Sequence, residues 1–151
     1  MSKPEVQMID HVAIAVPKGQ MDAQVAVYQE LGFEVIHEES VYGTDQVREI
    51  LLSIGSSGSM IQLLEPLTDE SPVAKQIEKQ GGRGGLAHVA FRVPDAQAAF
   101  DSMKESGFNI IDAAPRPGSR GTTVFFLHPK THAKGSLGVL YEMVQEGEGH
   151  E

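Results

Sequence analysis

The sequence predicts an α+β fold of two tandem βαβββ modules, with helices covering one face of each sheet and the other face lining a shared cleft. Three observations predict it. His11 to Pro17 reads HVAIAVP and His88 to Pro94 reads HVAFRVP, so one strand-like stretch recurs 77 residues later (88 − 11). Each copy is followed by a helix-like run that stops at a Gly-Phe pair, MDAQVAVYQEL before Gly32-Phe33 and DAQAAFDSMKES before Gly107-Phe108. The last strand of each copy also carries a polar residue at a similar distance from its histidine, Gln62 at 51 residues (62 − 11) and Glu142 at 54 (142 − 88). A period near half the chain is too long for a solenoid unit and suits two similar half-domains.

The elements follow in order. Ile9 to Val16 alternates, with Ile9, His11, Ala13 and Ala15 on one face and Val12, Ile14 and Val16 on the other, which is read as the buried one. A helix over about Met21 to Leu31 places Val25, Tyr28 and Leu31 in a stripe that covers the valine face. Gly32 ends it. Phe33 to His37 reads as a short strand, Glu38 to Thr44 as a polar turn, Val47 to Ile54 as a longer strand and Met60 to Glu65 as the last of the module. Ser71-Pro72 starts a linker helix that continues from Val73 to Gln80 and stops at GGRGG. Module two restarts with the strand Leu86 to Val93, the helix Ala96 to Ser106 and a short strand Phe108 to Ile111. The loop Ala113 to Gly121, the strand Thr122 to His128, the loop Pro129 to Ser136 and the strand Leu137 to Val144 complete it. The chain, 1–151, reads as a single domain, with module one over 7–66, a linker over 67–84 and module two over 85–146.

Composition narrows the function. With 151 residues, 40% of them hydrophobic, the chain can bury a proper core. It has no cysteine, so any metal must be held by nitrogen and oxygen. The formal charge of −9 disfavours a general nucleic-acid surface but allows a local basic patch for an anionic small molecule. The polar opening MSKPEVQ lacks a signal-like apolar run, and no stretch has bilayer-spanning length, so a soluble cytoplasmic protein without membrane attachment is expected. The acidic tail Glu146 to Glu151 reads as frayed.

Strand alternation turns His11 and His88 away from the helix-facing valines, beside the small residues Ala13, Ala15 and Ala90. If the modules pair about a pseudo-twofold axis, His11, Gln62, His88 and Glu142 converge. Two imidazoles, an amide oxygen and a carboxylate suit a divalent first-row ion such as Co²⁺, Ni²⁺, Mn²⁺ or Zn²⁺, with two positions left for substrate oxygens. The alternative for each residue taken singly is a hydrogen-bonded core position. His37, His128, His132 and His150 have no such symmetry and read as surface or loop residues. Glu49 shares a face with Val47, Leu51 and Ser53. On the cleft side, partial desolvation would raise its proton affinity and suit it to act as a base, the alternative being a solvated glutamate near a sheet edge.

These stretches, IDHVAIAV, VREILLSIGSSGSMIQLLEP, GLAHVAFRV and FLHPKTHAKGSLGVLYEMVQ, resemble the vicinal-oxygen-chelate superfamily and, within it, the methylmalonyl-CoA epimerases. IQLLEP and the HPK loop followed by a strand ending in glutamate are the more specific parts; that loop is longer here than the family's compact connection. The resemblance implies that His11, Gln62, His88 and Glu142 bind the metal, that Glu49 and Glu142 form the acid/base pair, and that the protein is a homodimer. It further implies epimerisation of (2R)- and (2S)-methylmalonyl-CoA by α-proton removal and return through a metal-stabilised enolate. The CoA tail would need local positive charge, for which Arg116, Arg120, Lys130 and Lys134 are candidates; the alternative is that they only solubilise the surface.

Three rival readings share the scaffold. A glyoxalase I-type lyase would favour an acidic residue where this chain has Gln62. An extradiol-type dioxygenase could use His11, His88 and Glu142 but would leave Gln62 unexplained. A metal-free small-molecule-binding module would not need four ligands in register.

Overall fold

A computed structural model describes residues 4–130, 132 and 134–147. The chain divides into two compact units: His11–Ala87, and a second in which the described residues up to Asp10 join those from His88 onward.

The unit His11–Ala87 contains most of β1 (Met8–Ala15), then α1 (Met21–Glu30), β2 (Glu34–Val41), β3 (Val47–Ser53), β4 (Met60–Pro66) and α2 (Pro72–Lys79). Its strands lie in the order β2-β3-β4-β1. β1 runs parallel to β4, and β3 is antiparallel to both β2 and β4. The face covered by α1 is the expected one: Val16, Met21, Ile50, Leu52 and Leu63 are buried together, with Ile14, Val25, Tyr28 and Phe33 around them. Leu31, expected to complete the helical stripe, is instead exposed. It caps the helix with an αR backbone, and Gly32 then turns the chain at φ +98°.

The opposite face of β1 is not open along its length. Ala13 and Ala15 are buried with Val47, Leu64, Val73, Ile77 and Ala87, so α2 packs on the histidine face at one end of the sheet. α2 starts as its sequence dictates, with the Ser71 hydroxyl accepting the Val73 N–H at 3.2 Å and Pro72 in the first turn. Gly84 (φ +81°) then lets the chain pass against the Ala15 carbonyl, where a Cβ would collide.

β2 is longer than alternation suggests. It continues through Glu38–Val41, expected to be a turn, because the antiparallel ladder with β3 holds to the pair Val41/Val47.

The second unit contains β5 (Gly85–Arg92) from His88, α3 (Ala96–Glu105), β6 (Arg116–Pro117), β7 (Thr123–Leu127) and β8 (Tyr141–Gln145). Its strands lie in the order β5-β8-β7-β6, with β5 and β8 parallel. Val93, Phe100, Met103, Phe125 and Met143 form its core under α3, with Phe100 and Phe125 edge to face at 5.3 Å.

Three segments of this unit differ from the alternation pattern. The strand expected over Phe108–Ile111 reduces to one bridge, Ile110 to Leu127. Asp112 explains its end: its carboxylate takes the Phe126 N–H at 2.7 Å and the Arg116 side chain at 2.9 Å, replacing the next backbone partner. The last strand starts at Tyr141 and not at Leu137, because the N–H groups of Leu137 and Gly138 both turn back onto the Pro129 carbonyl. Finally, Arg116–Pro117, inside the expected loop, pairs with β7.

Asp10 is 1% exposed and meets the Arg92 guanidinium at 2.8 and 2.9 Å. Arg120, at φ +57°, brings a nitrogen to 3.8 Å of the same carboxylate. Asp10→Ala would take from the partly buried Arg92 guanidinium its shorter ion pair and leave it Glu146 at 3.5 Å, which costs about 3 kcal/mol. The expected result is a fall in Tm of roughly 6–12 °C for a chain of this size, read by circular dichroism. Among the described residues no helix is long and apolar enough to cross a membrane.

Candidate metal centre and acid–base groups

Each unit holds a buried histidine beside a buried polar partner, and strand register decides their relation. In the parallel pair β1/β4, Ala13 lies opposite Gln62; in β5/β8, Ala90 lies opposite Glu142. Directly paired residues share a face, and so do residues two apart on a strand. His11 therefore shares a face with Gln62, and His88 with Glu142, with an alanine at the intervening position in both cases. The register expected for each histidine and its partner is the same in the two ladders.

All four side chains are buried: His11 is 3% exposed, Gln62 6%, His88 7% and Glu142 8%. His88 Nε2 stands 3.2 Å from Glu142 Oε1, and the His88 ring meets the edge of Phe126 at 5.2 Å. Gln62 Oε1 has no hydrogen-bond partner among the described residues. A buried carbonyl oxygen without a donor costs stability unless something electropositive meets it, so this atom fits a cation ligand better than a core filler. Imidazole nitrogen, amide oxygen and carboxylate oxygen are donors that first-row divalent ions accept.

Glu49 is 3% exposed. Its strand is interior, between β2 and β4, so the solvated-edge alternative does not hold. It pairs with Leu64, and Leu51 pairs with Gln62, which sets Glu49 on the same face as Gln62 and two positions along. The opposite face carries a separate charge set. Arg48 contacts Glu38 at 2.8 Å, Asp22 at 3.1 Å and Glu65 at 3.7 Å, and the hydrogen bond to Glu38 holds its guanidinium above its ordinary proton affinity.

The four basic residues expected to meet an anionic tail are placed differently from one another. Arg116 is tied to Asp112 and lies 5.6 Å from the Phe126 ring centre, while Arg120 faces Asp10. Lys130 and Lys134 are exposed, and their backbone N–H groups donate to His128 and His132.

His128 is exposed in a loop, as expected, and His132 packs against Phe108 at 4.6 Å. His150 lies outside the described residues, as does the end of the acidic tail. His37 departs from its surface reading. It lies within β2, half-buried, with Nε2 2.8 Å from Glu39 Oε1, and one ligand atom from each of His37, Glu39 and Glu49 lies within 4.8 Å of the others. A β-bulge beside Ile36 is the reason, since Val35 pairs with Leu52 but His37 pairs with Leu51. In unbroken alternation Ile36 would pair with Leu51 and His37 would fall on the α1 face. Simple alternation cannot reveal such a bulge.

The family model described as the Glyoxalase/Bleomycin resistance protein/Dioxygenase superfamily matches residues 9–126. The chain is 37% identical over 126 residues to the ethylmalonyl-CoA/methylmalonyl-CoA epimerase of Cereibacter sphaeroides, covering 81% of this chain and 88% of that protein. Its fold is similar to the crystal structure of methylmalonyl-CoA epimerase from Mycobacterium tuberculosis, with a TM-score of 0.84, 32% identity, and coverage of 97% and 93% of the two chains. It is also similar to a methylmalonyl-CoA epimerase solved in complex with methylmalonyl-CoA and ammonium, with a TM-score of 0.82, 38% identity, and coverage of 95% and 97%.

Proposed function

Since the chain belongs to the Glyoxalase/Bleomycin resistance protein/Dioxygenase superfamily and, within it, to the methylmalonyl-CoA epimerases, we propose that it interconverts (2R)- and (2S)-methylmalonyl-CoA. The observation that carries this reading is the matched register, Ala13 opposite Gln62 and Ala90 opposite Glu142, which gives each half one buried histidine and one buried oxygen donor. His11, Gln62, His88 and Glu142 would together hold one divalent cation, with cobalt first among the candidates. When bound, that ion supplies a Lewis acid for the negative charge that develops on the thioester oxygen as the α-proton leaves.

The chain's own residues supply the proton chemistry. The α-carbon lies between a thioester and a carboxylate, so its proton is acidic enough for a positioned carboxylate to remove. Glu49, as carboxylate, takes that proton and becomes a neutral acid. Return of a proton to the opposite face then needs a second acid, and Glu142 is the candidate. Both carboxyl groups are buried, which keeps bulk water from reprotonating the intermediate at random.

The remaining expectations extend this reading: a homodimer, a cytoplasmic location, and contacts to the CoA phosphates from Arg116, Arg120, Lys130 and Lys134. Light scattering on the purified protein tests the first.

The function itself is tested by incubating the purified protein with (2S)-methylmalonyl-CoA in deuterium oxide, with lyase and oxygen-uptake assays in parallel. Expected are appearance of the 2R epimer and deuterium at the α-carbon, without lyase product or oxygen consumption. A protein that leaves the α-proton in place overturns the proposal.

A further inference from the structure

We propose that His37 and Glu39 form a proton relay that connects Glu49 to solvent and resets it between turnovers. This inference rests on the epimerase reading above. An epimerase with an acid on each side of the carbon finishes a turnover with its protons on the wrong partners. The group that took the α-proton is left protonated, and the group that gave one is left bare. Another turnover in the same direction requires the first to lose its proton. Glu49 is 3% exposed, so it cannot hand that proton directly to bulk water.

The neighbouring strand supplies a route. Glu39 lies directly opposite Glu49 in the β2/β3 ladder. Its Oε1 is 2.8 Å from His37 Nε2, and His37, Glu39 and Glu49 each bring one ligand atom within 4.8 Å of the others. Both relay groups reach solvent: the Glu39 and His37 side chains are 35% and 30% exposed, against a buried Glu49. The transfers balance. Protonated Glu49 gives its proton to the Glu39 carboxylate, Glu39 gives it to the neutral His37 imidazole, and His37 releases it to water. The reverse sequence loads Glu49 for the other direction.

Two features mark the arrangement as functional. Like charges directly opposite on an antiparallel pair are destabilising, yet β2 sets Glu39 across from Glu49. And His37 reaches this face only through the bulge at Ile36, a device common beside reaction sites. The other charged groups nearby do not compete for the role. Glu38 and Arg48 face the α1 side with Asp22 and Glu65, and the residues flanking Glu49 on its own face are Val47, Leu51, Gln62 and Leu64.

A relay that acts only on the free enzyme between turnovers affects kcat and not kcat/KM. The test is steady-state epimerisation by wild type, His37→Gln and Glu39→Gln, with and without added imidazole buffer. The expected result is a kcat lower by roughly tenfold or more in each variant, kcat/KM within twofold of wild type, and recovery of kcat as imidazole rises. Equal loss of kcat and kcat/KM would mean that the pair only positions Glu49, and would overturn the relay, as would unchanged kcat. His37→Gln, at a partly exposed position, keeps the test available if Glu39→Gln fails to fold. If wild type itself does not epimerise, the functional reading fails, an outcome distinct from failure of the relay.

Discussion

Glu49→Gln is expected to lower epimerisation by roughly 10²- to 10⁴-fold, the usual contribution of a positioned acid or base. The amide matches the carboxylate in shape, so the strand and its buried neighbours remain, but it cannot accept a proton. Because Glu49 is not among the four residues assigned to the cation, the variant keeps its metal content. Exchange of the α-proton with deuterium oxide separates the possibilities. If Glu49 serves one epimer and Glu142 the other, the variant slows exchange from one epimer more than from the other. Turnover and exchange at the wild-type rate would remove Glu49 from the mechanism.

The second large effect concerns the cation. His88→Ala removes a proposed ligand and leaves Glu142, 3.2 Å away, without that imidazole. Loss of bound metal by elemental analysis and a fall in activity of roughly a thousandfold are expected, since a Lewis acid contributes several kcal/mol to stabilising the developing charge and each 1.4 kcal/mol is about tenfold in rate. Exhaustive chelation of the wild type gives the same loss without a substitution, and adding back cobalt restores activity. Full activity after chelation would refute the metal requirement and leave the four buried donors in need of another explanation.

Much of the architecture was legible in the sequence because it was written twice. The repeat aligned His11 with His88, and the strand period placed Gln62 and Glu142 on the same faces as their histidines, as the parallel ladders show. What stayed hidden depended on contacts remote in sequence. Alternation could not show that α2, drawn from the linker, would cover part of the histidine face, because Val73 and Ile77 look the same whichever face they meet. Nor could it show the bulge at Ile36, which changes the face of His37 without changing composition. The Asp10 and Arg92 pair was equally silent: 82 residues separate them, and neither position is unusual alone.

The placement of α2 has an evolutionary consequence. Its buried residues, Val73 and Ile77, join Val47 and Leu64 in an aliphatic wall, with Leu64 paired opposite Glu49, while α2 itself lies outside both copies of the repeat. The two halves are thus not interchangeable, and substitutions within this one eight-residue helix change the aliphatic wall beside Glu49 while leaving the strands themselves in place.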